Sequence, residues 1–401
     1  MRVLIERLTK MSKNAYQFIS DNTSICVYRN RNIDMYDAIA YKLYYSNSNT
    51  TQEEAVIKVN KFRPNNVCTR QALNKKEQRI PVEFYRNFVD VLYKSATATL
   101  CENNHGYPTQ NIVAVDGTYV TLKEKLVENG YKSNKNGQSV TSLVTGMFNV
   151  TYNFPITFEM TKHKNERKAF MDLIKDPTRY QNTIFVFDRG YFSEELFESI
   201  QNKGLFFICR MRKNSLLINH NEDDTKVKLK NGHNVRIVTY TIDEKEYYMS
   251  TNLMDNQKHS IATIKSIYND RWNVEELFKF VKSNLSLNSI EESQEENVLK
   301  SIYSNVIISL ISYLFTTLNE KTETESKKIN KSLLSSGIFE EFLYNFLTGR
   351  DFNTATLLKF CKIYIKFIRI SKSRSYKRVC KRCNKLSYFK NGLKNPKSTK
   401  T

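Results

Sequence analysis

Hydrophobic positions along the first hundred residues recur at helical spacing. Met35, Ala38, Ile39 and Leu43 predict one helix, and Ser-Asn-Ser-Asn-Thr-Thr then breaks the chain. Thr51 and Glu54 form a capping-box signature, which predicts a short helix through Asn60 that ends before Pro64. Thr69-Arg-Gln-Ala-Leu opens a second short helix, and Pro81 suits the first turn of a third. Three short helices with a basic middle one match a helix-turn-helix arrangement. A generic helical bundle with solvated lysines has the same pattern, so residues 1–105 are expected to be helical, with DNA-end binding as the candidate role.

From about residue 106 the period shortens. Ile112–Val115 is an apolar run ending in Asp116-Gly-Thr, with Tyr119–Leu122 available to continue it. Ser142–Val150 and Pro155–Met160 predict a hairpin, Asn165–Ile174 a helix and Thr183–Phe187 a strand ending at Asp188-Arg-Gly-Tyr. Ser193 can cap the next helix, and Leu205–Cys209 is a further strand. Three strands, a helix, a strand, a helix and a strand are the element order of an RNase H-like mixed α/β sheet. Residues 214–258 then alternate at period two, with Val235, Ile237, Tyr247 and Met249 on strands and turns at Asn231-Gly232 and Asp243-Glu244, predicting a β-rich insertion. A catalytic segment 106–320 and a helical C-terminal region 321–401 with a basic tail complete the expected organisation.

The segment YNDRWNVEELFKFVK carries the most concentrated chemistry. Tyr268, Arg271, Glu275 and Lys282 have the spacing Y-x2-R-x3-E-x6-K, which on one continuous helix falls within about a 60° stripe. Lys279 joins that stripe, and Val274, Leu277, Phe278 and Val281 form the opposite, packing side. A carboxylate among cations suits phosphate chemistry, although Glu-to-Lys pairs at i,i+4 also occur on ordinary surface helices.

Charge narrows the class of partner. Lys and Arg number 62 against 41 Asp and Glu, a formal net charge of +21. That balance points to a polyanion, and double-stranded DNA is favoured over an anionic membrane. The uncharged run Ser301–Asn319 approaches the length of a membrane span, but Ser304, Asn305, Ser309 and Ser312 interrupt it, and it is expected to be a buried core helix. The seven scattered cysteines suit a reducing compartment, and Cys380 and Cys383 supply only half of a structural zinc set. A prokaryotic chain of this kind would be cytoplasmic and nucleoid-associated.

An RNase H-like sheet places its first and fourth strands side by side, which would bring Asp116 and Asp188 together. The helix bearing Glu275 would add a third carboxylate, a donor set suited to paired Mg²⁺ or Mn²⁺ ions. Val-Asp116-Gly-Thr, Phe-Asp188-Arg-Gly-Tyr-Phe and the Tyr268–Lys282 pattern resemble the three catalytic motifs of DDE transposases, and the Y-R-E-K spacing resembles the IS-four family among them. Thr69-Arg-Gln-Ala, His163-x-Asn-Glu166-Arg and Phe207-Ile-Cys-Arg210-Met-Arg extend the resemblance over residues 65–390.

The resemblance implies that Asp116, Asp188 and Glu275 hold two metal ions and that Tyr268, Arg271 and Lys282 grip DNA near a transposon end. Lys279 is added from the wheel, and Trp272 is a candidate for stacking on an extruded base. It also implies cutting of transposon ends, joining to target DNA and a homodimer on DNA. A catalytically retired DNA-binding relative and an RNase H-like nuclease are the alternatives.

Overall fold

A computed structural model describes residues 2–26, 33–47, 50–63, 65–101, 110–133, 139–288, 290–317, 327–350, 352 and 354–369. Five helices come first: α1 (Arg2–Asp21), α2 (Met35–Tyr45), α3 (Gln52–Asn60), α4 (Arg70–Glu77) and α5 (Val82–Cys101). Thr51 and Glu54 close the expected capping box on α3, and the Thr69 hydroxyl accepts from the Ala72 N–H to start α4. The third helix of the expected short trio is 20 residues long, and it packs along the sheet-covering helix described below. Phe84, Tyr85, Phe88 and Leu92 recur on its buried side, so core packing rather than a short DNA-reading unit sets its length.

The sheet has nine described strands: β1 (Asn111–Leu122), β2 (Lys132–Ser133), β3 (Val140–Asn149), β4 (Phe154–Thr161), β5 (Thr183–Phe187), β6 (Phe206–Arg210), β7 (Asp224–Lys228), β8 (Asn234–Ile242) and β9 (Lys245–Thr251). Their spatial order is β2-β3-β1-β5-β6-β9-β8-β7, with β4 also on β3. Only the β1–β5 and β5–β6 pairings are parallel. Between β4 and β6 lie α6 (Glu166–Leu173) and α7 (Glu194–Asn202). Asn165 caps α6 through its side chain, whereas Ser193 stands at the start of α7 without making a capping bond. The period-two segment forms β7–β9, which lengthen this same sheet through β6. Asp243 and Glu244 both take positive φ, the two-residue turn that strand twist favours between β8 and β9.

After the sheet come α8 (Ile261–Asn269), α9 (Trp272–Asn284) and α10 (Glu295–Thr317). The apolar stretch of α10 is 94% buried inside the protein and packs on α5 and β4. A short strand β10 (Lys327–Ile329) pairs with β11 (Phe367–Arg369), an antiparallel pair that the polar sequence around 322–332 gave no sign of. Between them run α11 (Lys331–Gly337), α12 (Leu343–Leu347), joined to α11 by a π turn, and α13 (Thr354–Tyr364). Leu8, Tyr44, Phe88, Leu310, Phe342 and Leu357 belong to one continuous core under one face of the sheet. A second core, with Phe170, Phe187, Phe197 and Phe207, fills the other face under α6 and α7. The basic tail and both Cys380 and Cys383 lie outside the described residues.

Candidate active site

Asp116 stands inside β1, not beyond its end as the Asp-Gly pair suggested. The reason is β3, which pairs with β1 continuously from Val113 to Leu122. The parallel pairing with β5, by contrast, stops at Val115–Phe187. Asp116 and Asp188 are therefore the next residues on two neighbouring strands, at the point where β5 leaves the sheet. One strand further, β5 and β6 pair up to Phe187–Cys209, so Arg210 follows in the same row, its guanidinium 4.9 Å from the Tyr247 ring.

Strand alternation assigns faces. Ala114, Val120 and Leu122 join the core beneath α9 and α10, and Val113 and Val115 join the core beneath α6 and α7. Asp116 shares the first parity and Gly117 the second. Directly across from Asp116 in β3 is Gly146, where a Cβ would lie 2.6 Å from Cζ of Phe278. The missing side chain lets α9 settle on the sheet beside Asp116, with the Phe278 ring stacked on Phe158 at 5.4 Å. Glu275 is one turn earlier on that helix.

The Y-R-E-K segment is not one continuous helix. Arg271, Asn273 and Val274 donate backbone hydrogen bonds to the residues three before them, a tight turn that separates α8 from α9. Tyr268 lies in the last turn of α8 and is buried in one cluster with Ile184, Val186 and Ile208, while Arg271 stands at the start of α9 only 7% exposed. Arg271 Nη2 donates to Glu275 Oε1 at 2.6 Å, and its guanidinium lies 5.7 Å from the Tyr268 ring. Burial, outweighing the nearby Arg271, pushes the Tyr268 phenol up to about 12. Burial likewise pushes the Asp116 carboxyl up to about 6; the Gly117 N–H and Arg271 pull it down, and Glu275 and Glu166 push it up. Arg271 also interacts with Asp188, so one guanidinium serves three carboxylates.

The remaining candidates separate from this group. Lys279 lies on the continuous α9 with Glu275 and Lys282, and its ammonium pairs with Glu276 at 2.6 Å and sits 4.8 Å from the Trp272 ring. Trp272 is 50% exposed and its indole N–H donates to Glu276 at 3.1 Å. Lys282 is half-buried one turn further along. Among the described residues, no three acidic, histidine or cysteine side chains stand close enough to close a metal cage, and Glu275 is paired with Arg271. Chemically the donors still suit a hard divalent cation, because all are carboxylate oxygens and the half-buried Asp116 carboxyl is held above its ordinary pKa.

One carboxylate here carried no sequence signal of its own. Glu166, quoted above only as part of a flanking motif, projects from the start of α6 into the space under Gly117 and Gly190. Its Oε1 lies 2.9 Å from where a Gly117 Cβ would be, and its Oε2 lies 3.6 Å from that of Gly190. Burial and the nearby Asp188 push its carboxyl up. Gly117 and Gly190, one and two residues after the aspartates, were the available clue.

Acidic oxygens thus gather where the parallel β1–β5 pairing stops, with a guanidinium among them. The sequence pattern of the transposase DDE domain matches residues 107–311, just over half of the chain. The chain belongs to this family of DDE transposases. A candidate transposase for insertion sequence element IS4SA of Synechocystis sp. is 30% identical over 155 residues, and its name agrees with the IS-four branch indicated by the Y-R-E-K spacing. That alignment covers 37% of this chain and 46% of the relative, so the chain spans less than half of its length. A piggyBac transposase synaptic complex with hairpin DNA superposes at a TM-score of 0.45 with 11% identity, over 92% of this chain and 87% of that one. At that score the likeness carries no weight for fold or function.

Proposed function

We propose that this chain cuts the ends of a DNA transposon and joins them to target DNA, on a catalytic segment of RNase H-like topology. The central order β4-β3-β1-β5-β6, with parallel β1, β5 and β6 and helices on both faces, supports the topology. The observation that carries the chemistry is the side-by-side placement of Asp116 and Asp188, with α9 seated on Gly146 so that Glu275 lies over the same edge. Asp116, Asp188 and Glu275 would hold divalent cations, which when bound supply charge neutralisation at an in-line phosphodiester.

The chain's own residues do the rest. Arg271 holds Glu275 through Nη2 and balances the charge of Asp116 and Asp188. Tyr268, wedged between the sheet and Arg271, fixes the guanidinium. Lys279 and Lys282 extend positive charge along α9, and half-exposed Trp272 beside them offers a ring on which a base can stack. A cleft of about 630 Å³ runs along the same helix past Asp270, Asn273, Glu276 and Lys279. Cutting and joining two ends calls for paired sites, hence a dimer on DNA.

The DNA flanking the gene, if it carries inverted repeats, supplies the substrate. Asp188→Ala and Glu275→Ala should abolish Mg²⁺-dependent cleavage of those ends while leaving gel-shift binding, and that binding should fall steeply with added salt. Cleavage at the wild-type rate by either variant would overturn the assignment.

A further inference from the structure

We infer that Glu166 is a fourth carboxylate of the cation site, acting from the α6 face of the sheet opposite Glu275. This rests on the reading of Asp116 and Asp188 as cation-holding residues. The two helices approach one sheet edge from opposite sides. Phe278 of α9 packs on Gly146 across from Asp116, and Glu166 of α6 fits beneath Gly117, the next residue along β1. Its two oxygens lie against the glycines that follow the two aspartate positions, Gly117 after Asp116 and Gly190 in the loop after Asp188.

Only the charge of neighbouring Arg167, among the described residues, favours this carboxylate. Among the described residues no hydrogen bond or ion pair engages it; neighbouring Arg167 donates instead to the Gly190 carbonyl at 3.2 Å. Burial and the facing Asp188 outweigh that charge, and a partly buried carboxylate facing another is costly. Two buried hydroxyls belong to the same face of the sheet. Tyr191 is 1% exposed, its Oη has no partner, and the groups acting on it are Glu166, Asp116, Tyr119 and Asp188. Thr145 is fully buried directly across β3 from Gly117, on the Glu166 face, and its Oγ1 is also unpartnered. Buried polar groups rarely go unpaired, so two orphaned hydroxyls beside an unpaired carboxylate mark a place for a hydrated cation. The bland alternative is that Glu166 merely favours the positive N-terminus of α6.

Calorimetric titration of the full chain with Mn²⁺ alone, alongside thermal melting without metal, separates these roles. Glu166→Gln should weaken Mn²⁺ binding about tenfold, the scale seen for groups that support a metal site. Glu166→Asp should fall between, and the metal-free melting temperature of Glu166→Gln should equal or exceed that of wild type. A lower melting temperature with unchanged Mn²⁺ affinity would overturn the inference and assign Glu166 to the helix terminus. Weakened binding in Asp188→Asn but not in Glu166→Gln would overturn it while leaving the aspartate site standing. Equal binding by all variants, or none by wild type, would overturn both readings.

Discussion

Gly146→Ala places one methyl group where the fold has room for none. Its carbon would sit 2.6 Å from Cζ and 3.1 Å from Cε1 of Phe278, and 3.2 Å from Cδ1 of Phe158. Carbon atoms rest about 3.5–4.0 Å apart, so roughly 1 Å of overlap must be relieved. The Phe278 ring is stacked on Phe158, which crowds the same position, so the ring has no free side to turn into. Relief comes by lifting α9 off the sheet. Overpacking of this kind costs about 1–3 kcal/mol, read as a lower urea midpoint at unchanged slope. Glu275 moves with α9, and a shift near 1 Å at a reacting centre can cost about 10²-fold in rate. Phe278→Leu in the same chain should recover part of the stability, giving a coupling energy of about 1 kcal/mol or more in the double-mutant cycle. Gly146→Ala with wild-type stability, or additive with Phe278→Leu, would refute the seating of α9 on this glycine.

Two further perturbations test the electrostatics. Because burial raises the Asp116 pKa from 3.8 to about 6, the folded state holds its proton longer than the unfolded chain. Stability should therefore fall as pH rises from about 4 to about 6, by about 3 kcal/mol at most without divalent cation. Asp116→Asn should be more stable than wild type at pH 7 and no more stable at pH 4; melting curves across pH that run parallel for the two proteins would contradict this. Elsewhere, Arg236 is fully buried, donates to both Asp224 oxygens at 2.7 and 2.6 Å, and reaches the carbonyls of Leu253 and His259 ahead of α8. Asp224→Ala strands that charge and should cost about 3–5 kcal/mol in urea unfolding; a loss under 1 kcal/mol would show that the two carbonyls suffice.

Much of this organisation was legible from periodicity and capping. The α3 capping box, the β5 apolar run and the buried α10 depend on local pattern, which survives folding unchanged. What escaped depends on partners distant in sequence. Asp116-Gly117 read as a strand end because the pair favours turns, yet β3 carries the strand on to Leu122. The break at Asp270-Arg271 contains neither glycine nor proline, and nothing local announces that Tyr268 and Arg271 are both buried there. Lys279 fell in the stripe on an ideal wheel, but its flexible stem reaches Glu276 and Trp272. Glu166 was visible only as a neighbour of known motifs, since its meaning comes from two glycines on other elements.

Anomalous diffraction from crystals soaked in Mn²⁺ would test the central claim most directly. The account predicts Mn²⁺ peaks at about 2.1–2.2 Å from carboxylate oxygens of Asp116 and Asp188, with Glu275 released from Arg271 to join them. Peaks bound away from these residues, with Asp116 and Asp188 left without metal, would contradict it.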